Sequence, residues 1–172
     1  MESDAMTKIY KKYHNELYFY ALNLCRKEDL AKDLVSESFF RAFISSNQPK
    51  AEESFKYWLF RILKNHYIDL VRKERESLTL DTHKKFTPDD TAIEPAKNYI
   101  EKERNQYLYK HLMTLEPIVY REVIYLYYYV EMSIKEISIV INRTETNTKT
   151  ILYRARKKLG KLLKEDSYDF QR

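Results

Sequence analysis

Apolar side chains return every three or four residues along most of this 172-residue chain, the spacing that gathers them on one face of an α-helix. Ile9, Tyr13, Leu17, Tyr20, Ala21 and Leu24 mark a first amphipathic helix. Leu30, Leu34, Val35, Ser38, Phe39 and Ala42 form the inner face of a second, for which Asp29 is a suitable N-cap. The polar stretch SSNQPKAEES, residues 45–54, contains Pro49 and reads as a loop. Ser54 then opens a third helix running to about Glu76, with Phe55, Trp58, Leu59, Ile62, Leu63 and His66 along one broad face.

The period lapses over residues 77–97, which hold Pro88 and Pro95, and this segment reads as a flexible linker. Two further helices follow, Tyr99 to Leu115 and Val119 to Val130, divided at Glu116-Pro117, with Pro117 in the first turn of the second. SIKEISIVIN, starting at Ser133, has the length of a short helix, and Ser133-x-x-Glu136 matches a capping box at its start. Asn142 suits a left-handed turn. Thr144 is a natural N-cap for a last helix whose inward stripe is Thr148, Ile151, Leu152, Ala155, Leu159 and Leu162. A short helix, a tight turn and a longer helix make a helix-turn-helix. The pattern predicts an all-α protein of two small helical domains, 1–76 and 98–172, joined by the linker.

Composition limits what these helices do. Hydrophobic residues make up 44% of the chain, enough for packed cores. Gly160 is the single glycine, so no glycine-rich loop can cradle a phosphate and nucleotide-dependent chemistry is not expected. Cys25 is alone, and His14, His66, His83 and His111 lack ligand spacing; no metal or other cofactor is expected. Neither is a nucleophile–base pair legible, so the chain does not read as an enzyme and no small-molecule substrate is expected. The apolar run Val123 to Val130 is far too short to span a bilayer, and the N-terminus has no apolar signal segment; a cytoplasmic protein is expected. Most of the sixteen tyrosines read as core residues of amphipathic helices.

Charge changes the picture more. Residues 143–164 carry eight Lys or Arg against the single acid Glu145, a local charge of +7 in a chain of +5, so everything else sums to −2. Positive charge concentrated on one helix is the footprint of a phosphate-binding surface. The outward face of that helix carries Glu145, Thr146, Lys149, Thr150, Tyr153 and Lys157. The third helix has a different signature, FKYWLFRILKNHYIDLVRKERE from Phe55. Arg61, Lys64, Arg72, Lys73 and Arg75 supply cations there, and Phe60, His66 and Tyr67 supply rings. Rings interleaved with cations suit single-stranded DNA, where bases stack and phosphates are tracked.

AKDLVSESFFRAF, a polar loop and WLFRILKNHYIDLVRK resemble region 2 of bacterial RNA polymerase sigma factors. LEPIVYREVIYLYYYVEMSIKEISIVINRTETNTKTILYRARKKL resembles region 4. Both motifs in order, with so short a linker, are similar to the extracytoplasmic-function class, and the resemblance covers about Ile9 to Lys164. Departures are Ser36, where Gln is usual, and Thr146, Asn147 and Thr148, where small or branched residues are common.

The resemblance implies that the second helix meets the β′ clamp of core RNA polymerase through Asp33, Glu37, Phe40 and Arg41. Six acids against three bases between Glu28 and Glu53 make that stretch a poor DNA surface and agree with a protein partner. Residues 46–54 and the third helix would grip the −10 element as an opened strand, with Asn65 reading a base and Arg61, Lys64, Arg72 and Arg75 on phosphates. Trp58 stands between a core role and a base contact, with the core favoured. The helix-turn-helix would read the −35 element as duplex: Glu145, Thr146, Lys149 and Thr150 lie near base edges, Arg143, Tyr153, Arg154, Arg156 and Lys157 hold phosphates, and Thr144 belongs to the same DNA-binding set. Further implied partners are the β flap of polymerase and an anti-sigma factor, anchored in the membrane. A flexible linker of 21 residues spans about 25 Å, while two DNA sites two turns apart lie about 70 Å from each other. Core polymerase would therefore hold the two domains apart. A stand-alone helix-turn-helix regulator is the alternative, and it leaves the pattern of residues 55–76 without a use.

Overall fold

The structure is a computed structural model that describes residues 2–80 and 103–169, with side chains described over 4–78 and 108–165. Among the described residues every regular element is a helix: α1 (Glu2–Cys25), α2 (Glu28–Ile44), α3 (Glu52–Leu80), α4 (Glu103–Thr114), α5 (Ile118–Tyr128), α6 (Ile134–Ile141) and α7 (Glu145–Asp169). The all-α expectation holds. The chain forms two compact units, one built on α1, α2 and α3, the other on α4, α5 and α7 with most of α6. Residues 81–97 of the predicted linker, with His83, lie outside the described residues, and Ser77 to Leu80 continue α3.

In the first unit the predicted apolar faces meet. Leu17, Tyr20, Ala21 and Leu24 of α1 are buried with Leu34, Val35, Phe39 and Ala42 of α2 and Phe55, Leu59 and Leu63 of α3. Two ion pairs join α1 to the start of α3: Lys12 with Glu52, whose carboxylate also accepts from the Tyr13 hydroxyl at 3.4 Å, and Lys56 with Glu16 at 3.1 Å. Several boundaries differ from the sequence pattern. The N-cap of α2 is Lys27, in extended backbone with no side-chain cap bond, not Asp29. The Lys27 carbonyl accepts from the Ala31 N–H at 2.9 Å, which leaves Asp29 inside the first turn beside Glu28. There both carboxylates oppose the positive end of the helix dipole. Ala31 is fully buried and Leu30 only half-buried, so the inner face is rotated slightly from the predicted one. The Ala51 carbonyl accepts from the Phe55 N–H at 3.0 Å, so α3 starts at Glu52 rather than Ser54. It also runs past Glu76, because a helix once nucleated propagates through polar residues that carry no apolar period.

Phe60 is the clearest correction. It is fully buried, its ring centroid 5.1 Å from that of Tyr20, and is not available to stack on a base. His66 and Tyr67 are half-buried.

The second unit buries Leu112 and Leu115, then Val123, Ile124 and Leu126 of α5, with Leu152, Ala155 and Leu159 of α7. Pro117 is the N-cap of α5, one residue ahead of its predicted place. Arg121 is only 2% exposed; its guanidinium donates to the Glu116 carboxylate at 3.1 Å and the Leu115 carbonyl at 3.4 Å, fastening the α4–α5 turn. The Lys158 ammonium donates to the Glu116 carbonyl at 2.5 Å and ties α7 to the same turn.

The helix-turn-helix forms as its local chemistry dictates. The Ser133 N–H donates to Glu136 Oε2 at 2.7 Å and the Glu136 N–H to Ser133 Oγ at 3.2 Å, the reciprocal pair of a capping box. Asn142 takes φ 54°, and the Arg143 N–H reaches back to the Ser138 carbonyl at 3.0 Å, closing α6 with a left-handed residue that is not glycine. Thr144 Oγ1 then accepts from the Asn147 N–H at 3.1 Å and caps α7.

Candidate nucleic-acid interfaces

Burial of one stripe fixes what the opposite stripe of each helix offers. On α3 the positions 61, 65, 68, 72 and 75 advance by alternating four and three residues and so share a face. Leu59, at the centre of the buried side, is nine residues, or about two and a half turns, from Ile68, which therefore points away from the core. Arg61, Asn65, Arg72 and Arg75 are all exposed there, and Lys64 beside them is half-buried. Arg72 donates to Asp69 at 3.2 Å, an exposed pair that leaves most of its donors to other partners. Trp58 is half-buried with its ring 5.5 Å from Phe55, at the margin of the core.

His66 sits between α3 and the charged groups of α2. Burial first, and then the Arg41 guanidinium, hold its imidazole below the ordinary histidine range, against the opposing pull of Glu37 and Asp69. At neutral pH it is uncharged, so it adds no cation to this face.

On α7 the predicted inward residues Thr148, Leu152, Ala155 and Leu159 are buried, and Ile151 and Leu162 are half-buried. Arg143, Thr144, Glu145, Thr146, Lys149, Thr150, Tyr153, Arg154, Arg156 and Lys157 are all exposed. Cap and turn deliver the first turns of α7 with a side-chain face of hydroxyls and cations and no apolar cover, the chemistry that meets base edges and phosphates. Arg156 has a second environment: its guanidinium carbon lies 5.0 Å from the Tyr127 ring centroid and 5.3 Å from that of Tyr128. It leans on the aromatic rim of a groove of about 320 Å³, lined by Leu112, Ile124, Tyr128, Leu159, Gly160 and Leu163 among others. Sequence periodicity did not signal this groove, because most of its residues belong to the same apolar stripes that build the core.

The outer side of α2 has a third character. Asp33, Ser36 and Arg41 are exposed and Glu37 is half-buried. The Arg41 Nε donates to Glu37 Oε1 at 2.6 Å and holds that carboxyl below the usual range. Phe40 and Ile44, one turn apart, are 59% and 66% exposed. Apolar side chains left open among ion pairs suit a protein surface rather than a phosphate chain.

Comparison with known proteins identifies the two units. The Sigma-70 region 2 family model matches residues 9–77, and the Sigma-70, region 4 model matches residues 117–159. The chain is 33% identical over 159 residues to the ECF RNA polymerase sigma factor SigM of Bacillus subtilis, covering 90% of this chain and 93% of that protein. It is 27% identical over 172 residues to SigW of the same organism, covering 95% and 91%. Among solved structures it is similar to the sigma factor RpoE in complex with the anti-sigma factor NepR from Bartonella quintana, with a TM-score of 0.73 and 26% identity over 91% of this chain and 97% of that one.

Proposed function

The chain belongs to the ECF sigma factors of RNA polymerase, and from that premise we propose how its surfaces divide the work of promoter-specific initiation. It is a sigma factor that binds core polymerase and promoter DNA, and it acts as a binding subunit with no catalytic centre of its own. The domains are assigned as residues 1–76 for region 2, whose last helix runs on to Leu80, a linker from there to residue 97, and 98–172 for region 4. Asp33, Glu37, Phe40 and Arg41 meet the β′ clamp, with the open Phe40 and Ile44 side chains supplying apolar area and the ion pair supplying register. Asn65 reads a base of the opened −10 strand, and Arg61, Lys64, Arg72 and Arg75 hold its phosphates. Thr144, Glu145, Thr146, Lys149 and Thr150 approach −35 base edges, and Arg143, Tyr153, Arg154, Arg156 and Lys157 neutralise the flanking backbone.

The apolar groove beside α7 receives the β flap of polymerase, an assignment that rests on its size and apolar lining. An anti-sigma factor, anchored at the membrane, covers one or more of these surfaces until a signal releases the chain in the cytoplasm; the solved complex of RpoE with NepR supports that partner.

One observation carries the reading. A single chain presents a strand-type face of cations around Asn65 and a separate, correctly capped helix-turn-helix. The test is reconstitution. Purified protein should co-purify with core polymerase and direct run-off transcription from a defined promoter; a chain that neither binds core enzyme nor alters initiation overturns the reading.

A further inference from the structure

Ile68 is 48% exposed, an apolar side chain on the face of α3 directly away from the core. Single exposed apolar residues are ordinary and need no cause. Its surroundings set this one apart. Arg61, Lys64, Asn65, Arg72 and Arg75 lie within two turns of it on the same face, so it occupies the middle of the most basic stripe of the first unit. Helix propensity does not account for it either, because a β-branched residue at an exposed helical position is a poorer choice than Lys, Arg, Gln or Glu. The residue is not one of the buried core positions, and it interrupts a run of cationic side chains.

We propose that Ile68 is a specificity-determining residue of the −10 site, packing its side chain against a base of the opened strand while the surrounding cations hold the phosphates. The proposal rests on the assignment of this face to the −10 strand. The flat faces of bases become accessible to an apolar contact only when the duplex is open, since in duplex they are stacked away. An exposed isoleucine ringed by cations thus favours single-stranded over double-stranded DNA, which a purely basic stripe does not.

The test uses holoenzyme reconstituted with core polymerase at fixed salt. Two templates are compared, a fork whose −10 non-template strand is unpaired and a closed duplex carrying only the −35 element. Ile68→Ala should weaken binding to the fork by about five- to ten-fold and leave the duplex unaffected. Ile68→Leu should bind both as the unchanged chain does. Ile68→Lys should weaken fork binding, whereas a stripe that only tracks phosphate would gain one contact and bind more tightly. Unchanged fork binding by Ile68→Ala, equal losses on both templates, or tighter binding by Ile68→Lys overturns the proposal. Asn65→Ala and Arg72→Ala run in parallel separate the two levels. If they also leave the fork unaffected, the −10 assignment fails; if they weaken it while Ile68→Ala does not, only the isoleucine contact falls.

Discussion

Gly160 offers the sharpest test of how the second unit is built. It lies inside α7, nine residues before the last described helical residue, and a Cβ placed on it meets no heavy atom within 4 Å. Its backbone has no positive φ, so nothing in the conformation requires glycine. Glycine in a helix interior costs about 0.5–1 kcal/mol relative to alanine through backbone entropy. With no clash to offset, Gly160→Ala should return all of that. For a unit of this size such a gain raises the thermal midpoint by about 2–8 °C.

The measurement is a far-UV circular dichroism melt of both proteins at one pH and salt concentration. An unchanged or lower midpoint for Gly160→Ala would refute the reasoning, because it would mean that the open space beside Gly160 is not open in solution. Gly160→Leu extends the test to function. Its side chain enters the groove of about 320 Å³ between Leu112, Tyr128 and Leu163, so it should keep most of the stability gain while weakening association with the polymerase flap. A leucine variant that binds the flap as tightly as the unchanged chain would separate the groove from that partner.

Other substitutions probe the caps, the charges and the core. Thr144→Ala removes the acceptor for the Asn147 N–H and should cost about 1 kcal/mol in melts, with Thr144→Ser restoring most of it. Arg61→Ala and Arg72→Ala should each reduce the salt dependence of −10 strand binding by about one unit of slope, whereas Asn65→Ala should reduce base discrimination and leave the slope unchanged. His66, held below its ordinary value chiefly by burial, contributes stability that is present above the unfolded pKa of about 6.5. That stability is lost as pH falls through the lower folded value, so melts of His66→Gln should lose this acid-side slope. Phe60→Ala should destabilise the first unit by about 3–5 kcal/mol, and Phe60→Leu should leave binding to the −10 strand unaffected.

The helices and their inward faces were legible because amphipathic spacing and burial are two views of one requirement. Ser133, Glu136, Asn142 and Thr144 were legible for a stronger reason: each satisfies backbone groups within four residues of itself, and such bonds depend little on tertiary context. Asp29 failed as a cap although it is the one preferred capping residue type at the head of α2, because the cap position lies two residues earlier, at Lys27, where no side chain caps it. Phe60 failed because ring and charge interleaving counts residues without their azimuth. It lies one residue from Leu59 and one from Arg61, and only the packing of α1 against α3 decides which of them is covered. The contacts between distant residues, Lys12 with Glu52 and Lys158 with Glu116, have no local signature.

The same azimuthal logic says where recognition can change without endangering the fold. On α3 the buried stripe runs from Phe55 to Leu63 and on α7 from Thr148 to Leu159, and the exposed positions on the other side of each helix make little contact with the core. Substitutions at Asn65, Ile68, Thr146, Lys149 or Thr150 therefore carry little stability cost, usually within about 0.5 kcal/mol for surface positions. Substitutions one or two residues away, at Phe60, Leu63, Thr148 or Leu152, carry several times that. On the proposed assignment, sequence preference and fold are set by interleaved but separable positions of the same two helices. A family built on this plan can keep one architecture while its members read different promoters, and the departures at Thr146 and Asn147 lie on the separable side, whereas Thr148 lies on the other. Thr148 is fully buried and its hydroxyl donates to the Thr144 carbonyl at 2.9 Å. Its effect on promoter choice would be indirect, through the first turn of α7. Exchanging Thr146 and Asn147 should alter base preference with the melt unchanged, and exchanging Thr148 for a larger residue such as leucine should lower the melt, with any change in preference following only from the shifted first turn of α7.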